Sequence, residues 1–327
     1  MSDVKLNRFA ASARSVLSRS DVFGGTALAA LVIIAVVIAL LEPQFFTPSN
    51  LLNIGRQASV LVIVACGMTM VILSGAIDLS VGSAIALCSV IGASLATNVG
   101  LNAPLTIVIM IGLGALIGAV KGALIAWGGI NSFIVTLGMM TVLRGMALTF
   151  TGGYPISGVP DGVRFLGFGV VGGVPMPLIV AAVVFVLVAL LLAKTVLGRH
   201  IYAIGGNETS SLIAGVPVNL TKLMVFVVSG ALCGLAAVVL LGRLGAGLPT
   251  AAQGMELDAI AAVILGGSSL FGGRGSVFGT LFGALILAVL QNGLNLMGVN
   301  SFIIQILSGV IIILAVLLDR FRLRKLR

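Results

Sequence analysis

The chain of 327 residues contains one histidine, one tryptophan, two tyrosines and nine acidic residues. His200 alone cannot make a His-rich metal cluster, and no Ser/His/Asp or Cys/His set can be assembled around it. Charged residues make up 8% of the chain, against roughly 25% in a soluble domain, so the chain cannot cover itself with a wetted surface. The three cysteines, Cys66, Cys88 and Cys233, all fall inside apolar runs and read as small buried hydrophobes, not as a disulfide framework or metal site. A Walker A sequence is missing too. Gly267 to Gly272 has phosphate-loop glycine spacing, but Gly273-Arg274 follows where Lys-Ser/Thr is required, so the chain is not itself an ATPase. Gly167 to Gly172 fits G-x-G-x-x-G without the preceding strand a dinucleotide site needs. No cofactor is expected.

What the chain has in quantity is apolar sequence, 59% of its residues. Its apolar runs are continuous and reach 18 residues or more, whereas membrane β-strands alternate in polarity over about ten residues. The fold class is therefore an all-α polytopic membrane protein. Ten apolar segments stand out, at 24–41, 58–73, 83–97, 104–127, 131–150, 177–193, 220–241, 258–271, 276–291 and 301–318. If the short segments 83–97 and 258–271 are re-entrant, eight or nine crossings remain. The 24–41 run follows a basic region 1–23 and lacks a small-x-small cleavage pattern, so it reads as an uncleaved first span. The 44 glycines lie within apolar runs, as in closely packed membrane helices, and Gly114-x-x-x-Gly118-x-x-x-Gly122, Gly230-x-x-x-Gly234 and Gly279-x-x-x-Gly283 have the spacing of tight helix contacts.

The net charge of +9 marks sidedness, not nucleic acid. With ten spans and both termini in the cytoplasm, fourteen Lys and Arg are inside and only Arg56, Arg144, Arg164 and Arg243 outside. That split puts 194–222 and the basic tail 320–327 in the cytoplasm, with 24–319 as the transmembrane domain.

Three stretches carry the chemistry. The longest polar stretch between the first and last spans is Gly198 to Pro217, GRHIYAIGGNETSSLIAGVP. In it Arg199, Asn207 and Glu208 cap and charge a short helix from about Asn207 to Ala214, ended by Gly215. Such a helix is what a soluble partner can grip; a plain solvated connector is the other reading. The second stretch is GMTMVILSGAIDLSVGS at 67–83, where Asp78 stands among Ser74, Ser80 and Ser83. A carboxylate at membrane depth faces a cavity, a partner or the interface, so Asp78 either caps the next helix or lies in a translocation path. The third is GMELDAIAAVILGGSSLFGGRGS at 254–276, with Glu256 and Asp258 at the outer end of a span as helix-start acids. Downstream, Gln291, Asn292, Asn295 and Asn300 offer amides that suit either sugar hydroxyls or interhelical hydrogen bonds. A faint repeat links the last two stretches: Val71-Ile72-Leu73-Ser74-Gly75 against Val263-Ile264-Leu265-Gly266-Gly267, then Gly82-Ser83 against Gly275-Ser276. Interrupted helices in two related halves are a transporter device.

With these motifs in the same order, and NGLNLMGV at 292–299, the chain resembles the ribose-type ABC importer permeases, from about residue 24 to 319. The resemblance implies the membrane subunit of a bacterial simple-sugar importer in the inner membrane. Its partners would be a second permease copy, a cytoplasmic ABC ATPase and a periplasmic sugar-binding protein. It assigns ATPase coupling to Gly198, Arg199, Gly205, Gly206, Asn207, Glu208 and Gly215. Thr209-Ser210-Ser211 departs from the Glu-Ala-Ala common in the family, which bears on which ATPase fits. Two alternatives differ in cargo or drive: a permease of the same superfamily for a nucleoside or branched-chain amino acid, and an ion-coupled secondary transporter, for which Asp78 is the plausible ionisable group.

Overall fold

A computed structural model describes residues 25–300 together with 302–307, 309, 310, 313 and 317. The basic tails at 1–23 and 320–327, and eight of the 18 residues of the tenth apolar segment, lie outside the described residues. The helices follow in order: α1 (Gly25–Leu41), α2 (Pro48–Leu73), α3 (Val81–Thr97), α4 (Ala103–Ala126), α5 (Ser132–Thr151), α6 (Asp161–Phe168), α7 (Met176–Lys194), α8 (Val196–Gly206), α9 (Glu208–Ile213), α10 (Val218–Leu244), α11 (Met255–Leu265) and α12 (Val277–Leu296). Residues 302–307 are helical as well. Among the described residues six helices, α2, α4, α5, α7, α10 and α12, are long and apolar enough to cross a membrane by length and composition.

Helix α2 is the axis of the bundle. Every residue from Ala58 to Ser74 is buried, as expected of a helix that is apolar on all sides. Around it sit α3, α7, α10, α11 and α12, all in contact with α2 or, for α3, with α10. Helices α4 and α10 pack closely through the expected glycine stripes. A methyl group added at Gly118 would meet Phe226 O at 2.1 Å, and one at Gly230 would meet Gly114 O at 2.2 Å. Small residues let the backbones approach where lipid gives no hydrophobic drive. Helix α1 lies outside, with Ile38 packed on Ile54, Ala58 and α12 residues Ala288 and Val289. At the N-terminal end of α2, Asn50 and Asn292 exchange amide hydrogen bonds of 3.0 and 2.9 Å that bolt α2 to α12.

One open reading is narrowed and one expectation is corrected. The apolar segment 258–271 is not a span by itself. Helix α11 has 11 residues, about 16 Å at 1.5 Å per residue, roughly half a ~30 Å hydrocarbon core. Residues 245–254, which lead from α10 to α11, are non-helical chain. A two-residue strand there, Ala246–Gly247, pairs antiparallel with Ile156–Ser157. Gly247 then lies against Ser89, Val90 and Ala93, and Ala252 against Gly82. The chain therefore runs down beside α3 for roughly 15 Å before α11 begins. Secondly, the central polar stretch is more helical than its glycines suggest. Gly198 to Gly206 belongs to α8, which buries Gly198, Ile201 and Ile204.

Candidate functional site

The two related stretches end their helices in the same way. After α2, Gly75 N donates to Ile72 O at 2.9 Å and Ala76 N to Val71 O at 3.1 Å; after α11, Gly267 N donates to Ile264 O at 2.8 Å and Ser268 N to Val263 O at 3.1 Å. Gly75 and Gly267 take φ of 83° and 85°, a left-handed conformation that glycine adopts without Cβ strain and that closes a helix with its orphan carbonyls satisfied. The repeat in the sequence is thus a repeat of backbone geometry.

The two breaks also touch. Gly273 N donates to Leu73 O at 2.9 Å. A methyl group at Gly272 would lie 2.9 Å from the Cα of Gly75 and 3.0 Å from that of Gly205. One at Gly205 would meet Leu73 O at 1.8 Å and Gly273 N at 2.5 Å, and one at Gly273 would meet Gly206 N at 2.6 Å. The C-terminal end of α8 is therefore wedged between the end of α2 and the Gly272–Gly273 turn of the second break, backbone against backbone. Tyr202 adds a polar tie, its hydroxyl donating to Gly275 O at 3.0 Å. Burial pushes the Tyr202 phenol above its usual range, which keeps it a hydrogen-bond donor.

Beyond that wedge the central stretch faces outward. Asn207 ends α8 and begins α9, its side chain accepting from Ser210 N at 2.8 Å, and Gly215 follows with φ of 80°. This is the capped short helix expected from the sequence, with Glu208 in its first turn and Arg199 placed instead on α8. Glu208 pairs with Lys222 at 2.7 Å, tying α9 to the start of α10. Leu212 and Ile213 are 64% and 83% exposed at the tip, an apolar knob that none of the described residues covers.

Asp78 does not cap α3, whose N-cap is Ser80 with no side-chain cap bond; it holds the turn before that helix instead. Its Oδ1 accepts from Ser80 N at 2.9 Å and Ser80 Oγ at 2.7 Å, while Oδ2 takes the Lys121 ammonium at 2.5 Å. Lys121 Nζ also donates to Ser80 Oγ at 2.7 Å, and all three side chains are fully buried. Lys121 is not among the residues singled out from the sequence. The signal was there: a single lysine within the apolar run 104–127, opposite a single carboxylate at similar depth.

The other path candidates are dispersed. Ser74 and Ser83 are buried, with hydroxyls donating to Val71 O and Ser80 O. Asn292 is bonded to Asn50, Gln291 is half-buried, and Asn295 is exposed. Glu256 folds back to accept from Gly254 N at 3.2 Å. A methyl at Gly82 would meet Glu256 Oε2 at 2.4 Å. The stretch 74–82, expected inside, and the acid at 256, expected outside, are therefore neighbours, because 74–80 climbs into the bundle and 248–254 descends into it.

Interrupted helices packed against a protruding capped helix, in a bundle with six helices apolar enough to cross a bilayer, are features of a polytopic transport protein. The sequence comparisons agree on the family. Residues 50–316 match the family described as the branched-chain amino acid transport system/permease component, and the chain belongs to it. It is 44% identical over 312 residues to the ribose import permease protein of Escherichia coli (strain K12), covering 94% of this chain and 97% of the relative. The ribose import permease protein of Bacillus subtilis (strain 168) is 46% identical over 292 residues, covering 89% and 90%. The D-allose transport system permease protein of E. coli K12 is 39% identical over 296 residues, covering 88% and 90%. No solved structure matches the chain.

Proposed function

We propose that this chain is the inner-membrane permease subunit of an ABC importer for a simple sugar, ribose-like in size and polarity. Relatives named for ribose, D-allose and xylose support the cargo class. The observation that carries the mechanism is the wedge of Gly205 and Gly206 between Gly75 and Gly272-Gly273. In this reading a cytoplasmic ATPase grips α9 and the exposed Leu212–Ile213 tip. Closure of the ATPase dimer pushes or pulls α8, and because α8 touches both helix breaks, one movement reorients both halves of the path. Rigid backbone contact suits that task, since no flexible side chain lies between to absorb the displacement. A periplasmic binding protein supplies sugar affinity, so the permease needs only weak polar contacts along its path. A second copy of the chain completes that path, and both termini and the 194–222 segment lie in the cytoplasm.

The test is uptake in proteoliposomes holding the permease, its ATPase and its binding protein. ATP inside should drive accumulation of D-ribose or a related monosaccharide when no ion gradient exists. Uptake that follows a proton or sodium gradient and ignores ATP would reject the reading.

A further inference from the structure

The segment between α10 and α11 is irregular chain running inside the helical bundle, beside α3 from Ala93 down to Gly82. Non-helical backbone at membrane depth persists only where protein satisfies it or where it lines a water-filled cavity. Here one side is satisfied. Arg144 of α5 reaches across and donates from Nη1 to Pro249 O at 2.7 Å and Ala251 O at 3.0 Å, and both of those residues are buried. Ala252 beside them holds φ of 55°, a left-handed backbone that a side-chain-bearing residue adopts only when its surroundings enforce it.

The other side is open. Thr250 and Gln253 are exposed, and so is Leu257 one turn into α11. A hydroxyl and a primary amide turned toward hydrocarbon would lose their hydrogen bonds to water with nothing in return. Arg144 is taken up by the two carbonyls, and the exposed side chains of the segment itself carry no charge. What the segment presents outward is therefore uncharged: one hydroxyl and one amide, each both donor and acceptor.

We infer that Thr250 and Gln253 line the translocation path and contact a neutral, hydroxyl-rich cargo, with Arg144 as the positioning residue that holds their segment in place. This rests on the sugar-importer reading above and names the part of the path that touches the sugar. It differs from the sequence-based candidates at 74–83, whose polar side chains are buried and hydrogen-bonded within the bundle.

The test uses the assembled importer with Thr250→Cys or Gln253→Cys and a charged, membrane-impermeant thiosulfonate reagent. The native thiols Cys66, Cys88 and Cys233 are all buried, which keeps the background low. Leu187→Cys, on the exposed apolar face of α7, is the lipid-side control. The expected result is modification of both variants at least about tenfold faster than the control, since a charged reagent is excluded from lipid. That rate should fall while D-ribose is being transported. Modification no faster than the control, in a variant that still imports sugar with ATP, would overturn the inference and leave the function standing. Water access without protection by the transported sugar would also overturn it as a cargo contact. If Thr250→Cys is not recovered folded, Gln253→Cys decides the matter. Absence of ATP-driven sugar uptake in the unmodified importer counts against the function, independently of labelling.

Discussion

The Lys121 ammonium lies 2.5 Å from an Asp78 carboxylate oxygen, and neither side chain is exposed. A buried ion pair contributes little net stability against an apolar replacement, but removing one partner strands the other charge and costs about 3–5 kcal/mol. Lys121→Met and Asp78→Asn should each lower the unfolding temperature in detergent by a large margin. The double variant should recover most of the loss, since the new amide oxygen at position 78 would still accept from Ser80 N and no charge would remain unpaired. A double variant no more stable than either single would show that the pair has another role.

Gly205 and Gly206 are adjacent, and their environments differ sharply. A methyl group at Gly205 would meet Leu73 O at 1.8 Å, while one at Gly206 would meet nothing within 4 Å. Gly205→Ala must therefore displace α8 from the helix breaks, and ATP hydrolysis stimulated by loaded binding protein should fall several-fold. Gly206→Ala should leave it near normal. Equal behaviour of the two variants would remove the mechanical significance of the wedge.

Asn50 and Asn292 give a prediction of the opposite kind. Their reciprocal amide bonds join α2 to α12, and interhelical hydrogen bonds in membranes average about 0.6 kcal/mol with a maximum near 1.7. Asn292→Ala should lower thermal stability by about that amount and leave the ratio of sugar transported to ATP hydrolysed unchanged. A changed ratio at normal stability would return Asn292 to the path.

Which of these features could be read from the sequence depends on how local their causes are. Helix α9 was legible because Asn207 and Gly215 are caps whose hydrogen bonds close within a few residues. The two breaks were legible because VILSG and VILGG end helices by the same local turn. Helix α8 was missed because the glycines at 198, 205 and 206 read as loop. Gly198 and Gly205 serve close approach instead, and Leu197, Ile201 and Ile204, spaced four and three apart, were the helical signal. The descent at 248–254 has no periodicity to read. Its shape is set by distant groups, above all Arg144 from a hundred residues earlier in the chain, and the sequence alone does not report such contacts.

Central to the proposed mechanism is the exposed tip of α9 as the place where a separate motor takes hold. The most direct test is to purify the permease from its native membrane, with and without Leu212→Asp and Ile213→Asp, and to identify by mass spectrometry what accompanies it. Both side chains are exposed, so the variants should insert and fold as the unaltered chain does. The expected result is that an ABC ATPase accompanies the unaltered permease and is lost from the variants. An ATPase retained at full stoichiometry by both variants, or none recovered with the unaltered chain, would contradict the mechanism.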